Sequence, residues 1–205
     1  MVSKGYFTVD PNNHCGTRGE SITFSGIQDI SVVELGLSQI YLNEDKLANI
    51  QKWINPNDLS RFNPLPVHDF GNCKLTLTDG HSRAFCAYML GIERLPVIYD
   101  TDEIVTSETG QLLYKNDIIW CERFNIHSVC DLKDRVLSNQ MYQELWVGRC
   151  DKAYHLLTQT SELQRKNLQS ICPHLYLYGA TEDLNWLFFE DEKGTSFSFP
   201  ANFCG

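Results

Sequence analysis

The run Asp79-Gly80-His81-Ser82-Arg83 places a carboxylate, a glycine, an imidazole, a hydroxyl and a guanidinium within five residues. Such a set can hold a phosphate. Gly80 lets the backbone approach an anion closely and supplies positive φ. Arg83 offers a planar fork of N–H donors and keeps its charge. His81 can donate to a phosphate oxygen, and its charge can change near neutral pH. The Ser82 hydroxyl and the free amides of a helix N-terminus complete an anion nest. Asp79 would repel a bare phosphate, so it needs a partner. A Mg²⁺ ion bridging it to phosphate oxygens is one role, and removing a proton from a substrate hydroxyl is another. A plainer reading stands beside these. Asp-Gly is a common turn dipeptide, Arg83 could pair with Asp79 or Asp100, and His81 could be an exposed loop residue.

The elements around the turn suit that use. Lys74 to Thr78 alternates as a strand, with Leu75 and Leu77 on one face. A helix is expected over Ser82 to Leu90, ended by Gly91. Strands are expected at Ile30–Leu35, Leu65–Phe70 and Leu95–Asp100, and a helix at Glu44–Ile54 capped by Asn43. The order over 30–100 is strand, helix, strand, strand, helix, strand.

Outside this stretch, residues 1–29 read as an irregular arm with one short strand at Ser21–Phe24. Residues 101–116 read as loop. Helical patterns run over Asp117–Phe124 and Leu132–Leu157, with Asp131 as a cap for the second, and over Leu163–Ile171. Leu175–Tyr178 and Trp186–Phe189 form a hairpin pattern, followed by a short strand at Thr195–Phe199. The expected class is therefore α+β: a small mixed sheet with helices, then a helical segment and a C-terminal β-hairpin. The expected divisions are 1–29, 30–100 and 101–205.

Composition narrows the partners. Apolar residues make up 42% and charged residues 21%, so a packed core is expected. Net charge is −9 with no Lys/Arg cluster, which disfavours duplex DNA. No stretch approaches the ~18 consecutive apolar residues of a membrane span. With no signal-peptide pattern at the start, a cytoplasmic location is expected. Eight cysteines at irregular spacing, without a C-x-x-C pair, read as free thiols. A homo-oligomer is left open.

Three motifs in order carry a family resemblance: Pro64-Leu65-Pro66-Val67, Thr78-Asp79-Gly80-His81-Ser82-Arg83 and Gly91-Ile92-Glu93-Arg94-Leu95-Pro96-Val97. Together they make the segment over about 30–100, about a third of the chain, similar to the ParB/sulfiredoxin superfamily. The resemblance implies a nucleotide-phosphate site on the turn. Chromosome-partitioning members use a G-E-R-R type turn with CTP, and sulfiredoxin a G-C-H-R type turn with a reactive thiol. Free-serine kinases use a D-G-H-[HN]-R turn. This chain most resembles the third, with Ser82 as the main departure.

In that branch a carboxylate at the start of the first helix faces the turn. This makes Glu44, rather than the adjacent Asp45, the second candidate catalytic residue beside Asp79. His68 and Asp69 are expected as polar residues at a strand edge bordering the site. The implied activity is phosphoryl transfer from ATP or ADP, with Mg²⁺ on Asp79, to a small hydroxylated metabolite. Gly80, His81, Ser82 and Arg83 would hold the phosphates. The alternatives are a ParB-like nucleotide-binding regulatory or DNA-associated module without transferase activity, and a degenerate fold used for protein contacts.

Overall fold

Every second residue along two short segments is apolar and fully enclosed: Leu65 and Val67 in β3 (Leu65–Asp69), and Leu95 and Val97 in β5 (Arg94–Tyr99). This period-two burial makes them the central strands of a four-stranded mixed sheet. A computed structural model describes residues 23–72, 74–151, 154 and three C-terminal strands at 176–180, 186–190 and 196–200. The sheet order is β1-β5-β3-β4, with β1 at Ile27–Ser31 and β4 at Leu75–Leu77. β3 and β5 run parallel, Leu65 opposite Val97, while β1 and β4 add antiparallel edges.

Helix α1 (Glu44–Gln51) starts where the sequence places it. The Asn43 side chain accepts from the Lys46 N–H at 3.0 Å, and Glu44 and Asp45 complement the dipole of the first turn. Asn43 also ends β2 (Leu42–Asn43), a two-residue strand parallel to β6 (Val136–Leu137). Helix α2 (His81–Met89) packs Ala84 and Ala87, both fully enclosed, into the core beside α1. Small residues three apart allow that close approach. Gly91, at φ +76°, ends the helix as expected.

Three expectations are corrected. The first strand lies at Ile27–Ser31, not Ile30–Leu35. A turn with Glu34 N–H donating to the Ser31 carbonyl at 3.0 Å takes over, and Val32 and Leu35 are buried from that turn. Residues 101–116 are not loop: they hold α3 (Glu103–Thr106) and most of α4 (Glu108–Arg123), which Ser107 caps through Gly110 N–H. Gly110 is required there, because a Cβ would sit 1.9 Å from the Ile104 carbonyl oxygen.

The long helix from Leu132 is also absent as such. Asp131 is the third residue of a capping box led by Ser128, which starts a 3-10 turn at Val129–Leu132. The helix begins only after β6, as α5 (Asn139–Tyr142), and continues through a π turn at Gln143–Val147. The expected helix at 163–171 lies outside the described residues. So does the first half of the expected strand at Ser21–Phe24, and Thr23 and Phe24 are not in a strand.

Trp120, Cys121, Ile126, Val129, Leu132, Tyr142 and Trp146 belong to the same buried cluster as Leu65, Val67, Leu95 and Val97. The segment after residue 100 therefore contributes to the core of the segment before it. The C-terminal strands β7 (Tyr176–Ala180), β8 (Trp186–Glu190) and β9 (Ser196–Pro200) pair antiparallel in sequence order, as the hairpin pattern predicts. Among the described residues no helix is long and apolar enough to cross a membrane. Cys86, Cys121, Cys130 and Cys150 are free thiols.

Candidate functional site

The turn between β4 and α2 is built as an open helix N-terminus. Gly80 occupies the N-cap at φ +82°, and among the described residues no side chain caps the first amides of α2. Those N–H groups and the helix dipole face whatever occupies the turn. The glycine is also sterically fixed. A Cβ there would lie 2.6 Å from Leu65 Cδ2 and 2.9 Å from Arg83 Nη2. The guanidinium thus sits directly over the residue that opens the helix.

Arg83 is held on three sides. Its Nη1 donates to the Asn63 carbonyl at 2.9 Å, its Nη2 lies 3.7 Å from Asp79 Oδ2, and its carbon centre stands 6.0 Å from the Phe62 ring centroid. Arg83 is 20% exposed and Asp79 is 82% exposed. Of the two partners expected for Arg83, the structure selects Asp79. Asp100 instead accepts from the Thr78 hydroxyl and from Asp102 N–H.

His81 is not an exposed loop residue. It is 3% exposed, and its Nε2 accepts from the Ser38 N–H at 3.2 Å. Burial pushes its pKa down to about 4; Asp79 pulls the other way, and Lys46 adds to the depression. The ring is therefore neutral at physiological pH, with its proton on Nδ1. Ser82 is buried at the next position, 8% exposed.

Glu44 is the first residue of α1 and exposed, as is Asp45. Helix α1 packs on α2, and the Lys46 charge adds to the depression of the His81 pKa. Sequence reasoning missed Lys46 and its surroundings. Its Nζ stands 5.5 Å from the Tyr142 ring centroid, and Asn43 Nδ2 donates to Asn139 Oδ1 at 2.8 Å. The Tyr142 phenol is pushed up to about 12 by burial, with Cys150 and Asp79 adding to the shift. The start of α5 thus packs against the first turn of α1. Lys46 carried a signal, a cation three residues past a helix cap, but Asn139 and Tyr142 lie too far along the chain to be placed by spacing.

His68 and Asp69 divide. Asp69 Oδ1 accepts from Gly71 N–H at 2.8 Å, a local turn contact at the strand end. His68 is buried, 8% exposed, and bonded to α4 and to Asp100. Cys86, five residues past the turn, is unsuited to nucleophilic chemistry because burial pushes its thiol up to about 11.

A divalent cation suits this donor set in one respect. Mg²⁺ is typically held by one or two carboxylates plus substrate phosphates rather than by an all-protein cage. Asp79 is an exposed carboxylate just before the N-terminus of α2. Among the described residues no group of three or more His, Cys, Asp or Glu is arranged to hold a metal by itself. The chain matches no model of a known protein family and no curated protein.

Proposed function

We propose that residues 30–100 form a ParB/sulfiredoxin-like nucleotide-binding core and that the protein transfers a phosphoryl group from ATP or ADP to a small hydroxylated metabolite. The observation that carries this reading is the Gly80 N-cap. Among the described residues no side chain caps the first amides of α2, the Arg83 guanidinium lies against Gly80, and the exposed Asp79 carboxylate stands 3.7 Å from that guanidinium. Backbone amides and a guanidinium bind phosphate oxygens and take up the charge that spreads over them during transfer. Lys46 in α1 is a further cation whose charge acts on His81.

In the proposed reaction the substrate hydroxyl oxygen bonds to the terminal phosphorus and the bond from that phosphorus to the nucleotide oxygen breaks. The hydroxyl proton passes to a carboxylate, with Glu44 and Asp79 as the two candidates. Mg²⁺ held on Asp79 would neutralise phosphate charge. His81 acts as a neutral residue that orders the turn through Ser38, and Ser82 lies within the first helical turn. The net charge of −9 weighs against a duplex-binding role.

The direct test is to incubate the full chain with Mg²⁺, terminally labelled ATP or β-labelled ADP, and a pool of hydroxylated metabolites. Label on a small acceptor supports the reading. Nucleotide binding without transfer, together with a salt-dependent shift of DNA, would replace it with a regulatory module. Absence of nucleotide binding removes both.

A further inference from the structure

The residue entering the phosphate turn is tied at every polar atom. Thr78 N–H donates to the Pro66 carbonyl at 3.1 Å, its hydroxyl donates to Asp100 Oδ2, and its carbonyl accepts from the Tyr114 hydroxyl at 3.2 Å. The first two bonds come from the sheet and its end. The third comes from α4, the helix in the stretch that sequence patterns read partly as loop.

Asp100 is tied as fully. Its N–H donates to the Val67 carbonyl at 2.7 Å, Oδ1 accepts from Asp102 N–H at 3.0 Å, Oδ2 accepts from Thr78, and its carbonyl accepts from His68 Nδ1 at 2.8 Å. A carbonyl can only accept, so His68 carries its proton on Nδ1. Its Nε2 then accepts from Gln111 Nε2 at 3.0 Å. Gln111 and Tyr114 lie three apart on α4 and grip the sheet at two points. The Tyr114 ring stacks on Phe70, with centroids 4.9 Å apart and planes 23° apart.

The Thr78 carbonyl belongs to the same planar peptide as the Asp79 N–H. Whatever fixes that oxygen fixes the plane from which the Asp79 Cα departs. We infer that Tyr114 is a positioning residue for Asp79: its hydroxyl locks the Thr78–Asp79 peptide plane and so aims the Asp79 carboxylate at the phosphate turn. The inference rests on the phosphoryl-transfer reading in giving Asp79 something to do there. The locked plane itself stands on geometry. The phenol is well suited to hold a carbonyl, because burial, with Asp100, Asp117, Asp79 and Cys150 adding to the shift, pushes its pKa up to about 12 and keeps it a donor.

Tyr114→Phe removes the hydroxyl and leaves the ring stacked on Phe70. In the full chain, the Thr78 amide, which donates to the Pro66 carbonyl, and the Ala84 amide, which donates to the Gly80 carbonyl, should exchange with solvent about five- to tenfold faster, the cost of one lost hydrogen bond, while β3 and β5 amides stay unchanged. Transfer should fall by a similar factor in kcat, with the KM for nucleotide held within about twofold. Tyr114→Leu, which also removes the stack, should speed exchange in α4 as well.

Unchanged exchange at Thr78 and Ala84 in Tyr114→Phe overturns the inference. So does an equal acceleration throughout the sheet, which would make Tyr114 a general packing residue. If the wild-type chain neither binds nor transfers nucleotide, the proposed function fails. The exchange pattern still decides whether Tyr114 locks the turn.

Discussion

The Nε2 of His81 accepts a hydrogen bond from the backbone N–H of Ser38 at 3.2 Å, joining the start of α2 to a loop 43 residues earlier in the chain. The Ser38 hydroxyl donates in turn to the Leu77 carbonyl at 2.7 Å, at the end of β4. The imidazole is thereby a structural acceptor beneath the turn. Protonating it would replace the Ser38 contact with a donor facing a donor.

Stability should follow that proton. The His81 pKa falls from an ordinary value of 6.5 to about 4 on folding, because the ring is buried. Below pH about 6.5 the unfolded chain takes up a proton that the folded chain refuses, so stability drops as pH falls toward 4. The full loss is about 3 kcal/mol. Urea unfolding at pH 7, 6, 5 and 4.5 measures it. His81→Gln should be less stable at pH 7 and should flatten the acid-side decline. An equally steep decline in the variant would assign it to other groups.

Asp117 should act in the opposite sense. Burial pushes its carboxyl up to about 8, with Arg149 pulling it down; that guanidinium stands 4.0 Å from the Trp120 ring centroid. Between pH about 4 and 8 the unfolded chain has released this proton and the folded chain keeps it, so the contribution is lost as pH rises through 8. Asp117→Asn should therefore gain stability relative to wild type as pH rises from 5 to 9. The difference between the two unfolding curves is the readout. A difference independent of pH contradicts the assignment.

Gly80→Ala should damage both fold and site. A left-handed φ at a residue with a Cβ costs about 1 kcal/mol. The contacts at 2.6 Å to Leu65 and 2.9 Å to Arg83 add to that. A loss of about 2 kcal/mol or more is expected, with nucleotide affinity reduced at least about tenfold because Arg83 is displaced. Thermal unfolding and calorimetric titration check the two effects separately.

Asn43→Ala should cost more than an ordinary cap. Its side chain accepts from Lys46 N–H and donates to Asn139, and the residue is only 2% exposed. Loss of the cap and of the tie amounts to about 2 kcal/mol. Asn43→Asp keeps the cap and loses the donor, so about half that cost is expected. Equal losses in the two variants would show that the tie to Asn139 dominates.

Much of the 27–99 region was legible because each element there carries its own local signal. Leu65/Val67 and Leu95/Val97 alternate, Asn43 caps, and Gly91 stops a helix. The stretch over 101–116 was not legible because α4 owes its first half to distant partners. Gly110 is required because the Ile104 carbonyl occupies the space a Cβ would fill, and Gln111 and Tyr114 are anchored on His68 and Thr78. The pairing of β2 with β6 is two residues long and joins positions 94 apart, too short and too distant for periodicity to reveal. At the site, residue types identified the turn but not its burial. Whether His81 faces solvent or Ser38 depends on the loop after β1, which local pattern does not fix.

The central claim is that Asp79 serves chemistry on a phosphate held by Gly80 to Arg83. The most direct measurement compares wild type and Asp79→Asn for binding of Mg²⁺-nucleotide and for transfer of label to a small hydroxylated acceptor. The prediction is nucleotide binding by both proteins, with transfer by wild type and a loss of at least about a hundredfold in the variant. Equal transfer by the two proteins, or no nucleotide binding by wild type, contradicts the account.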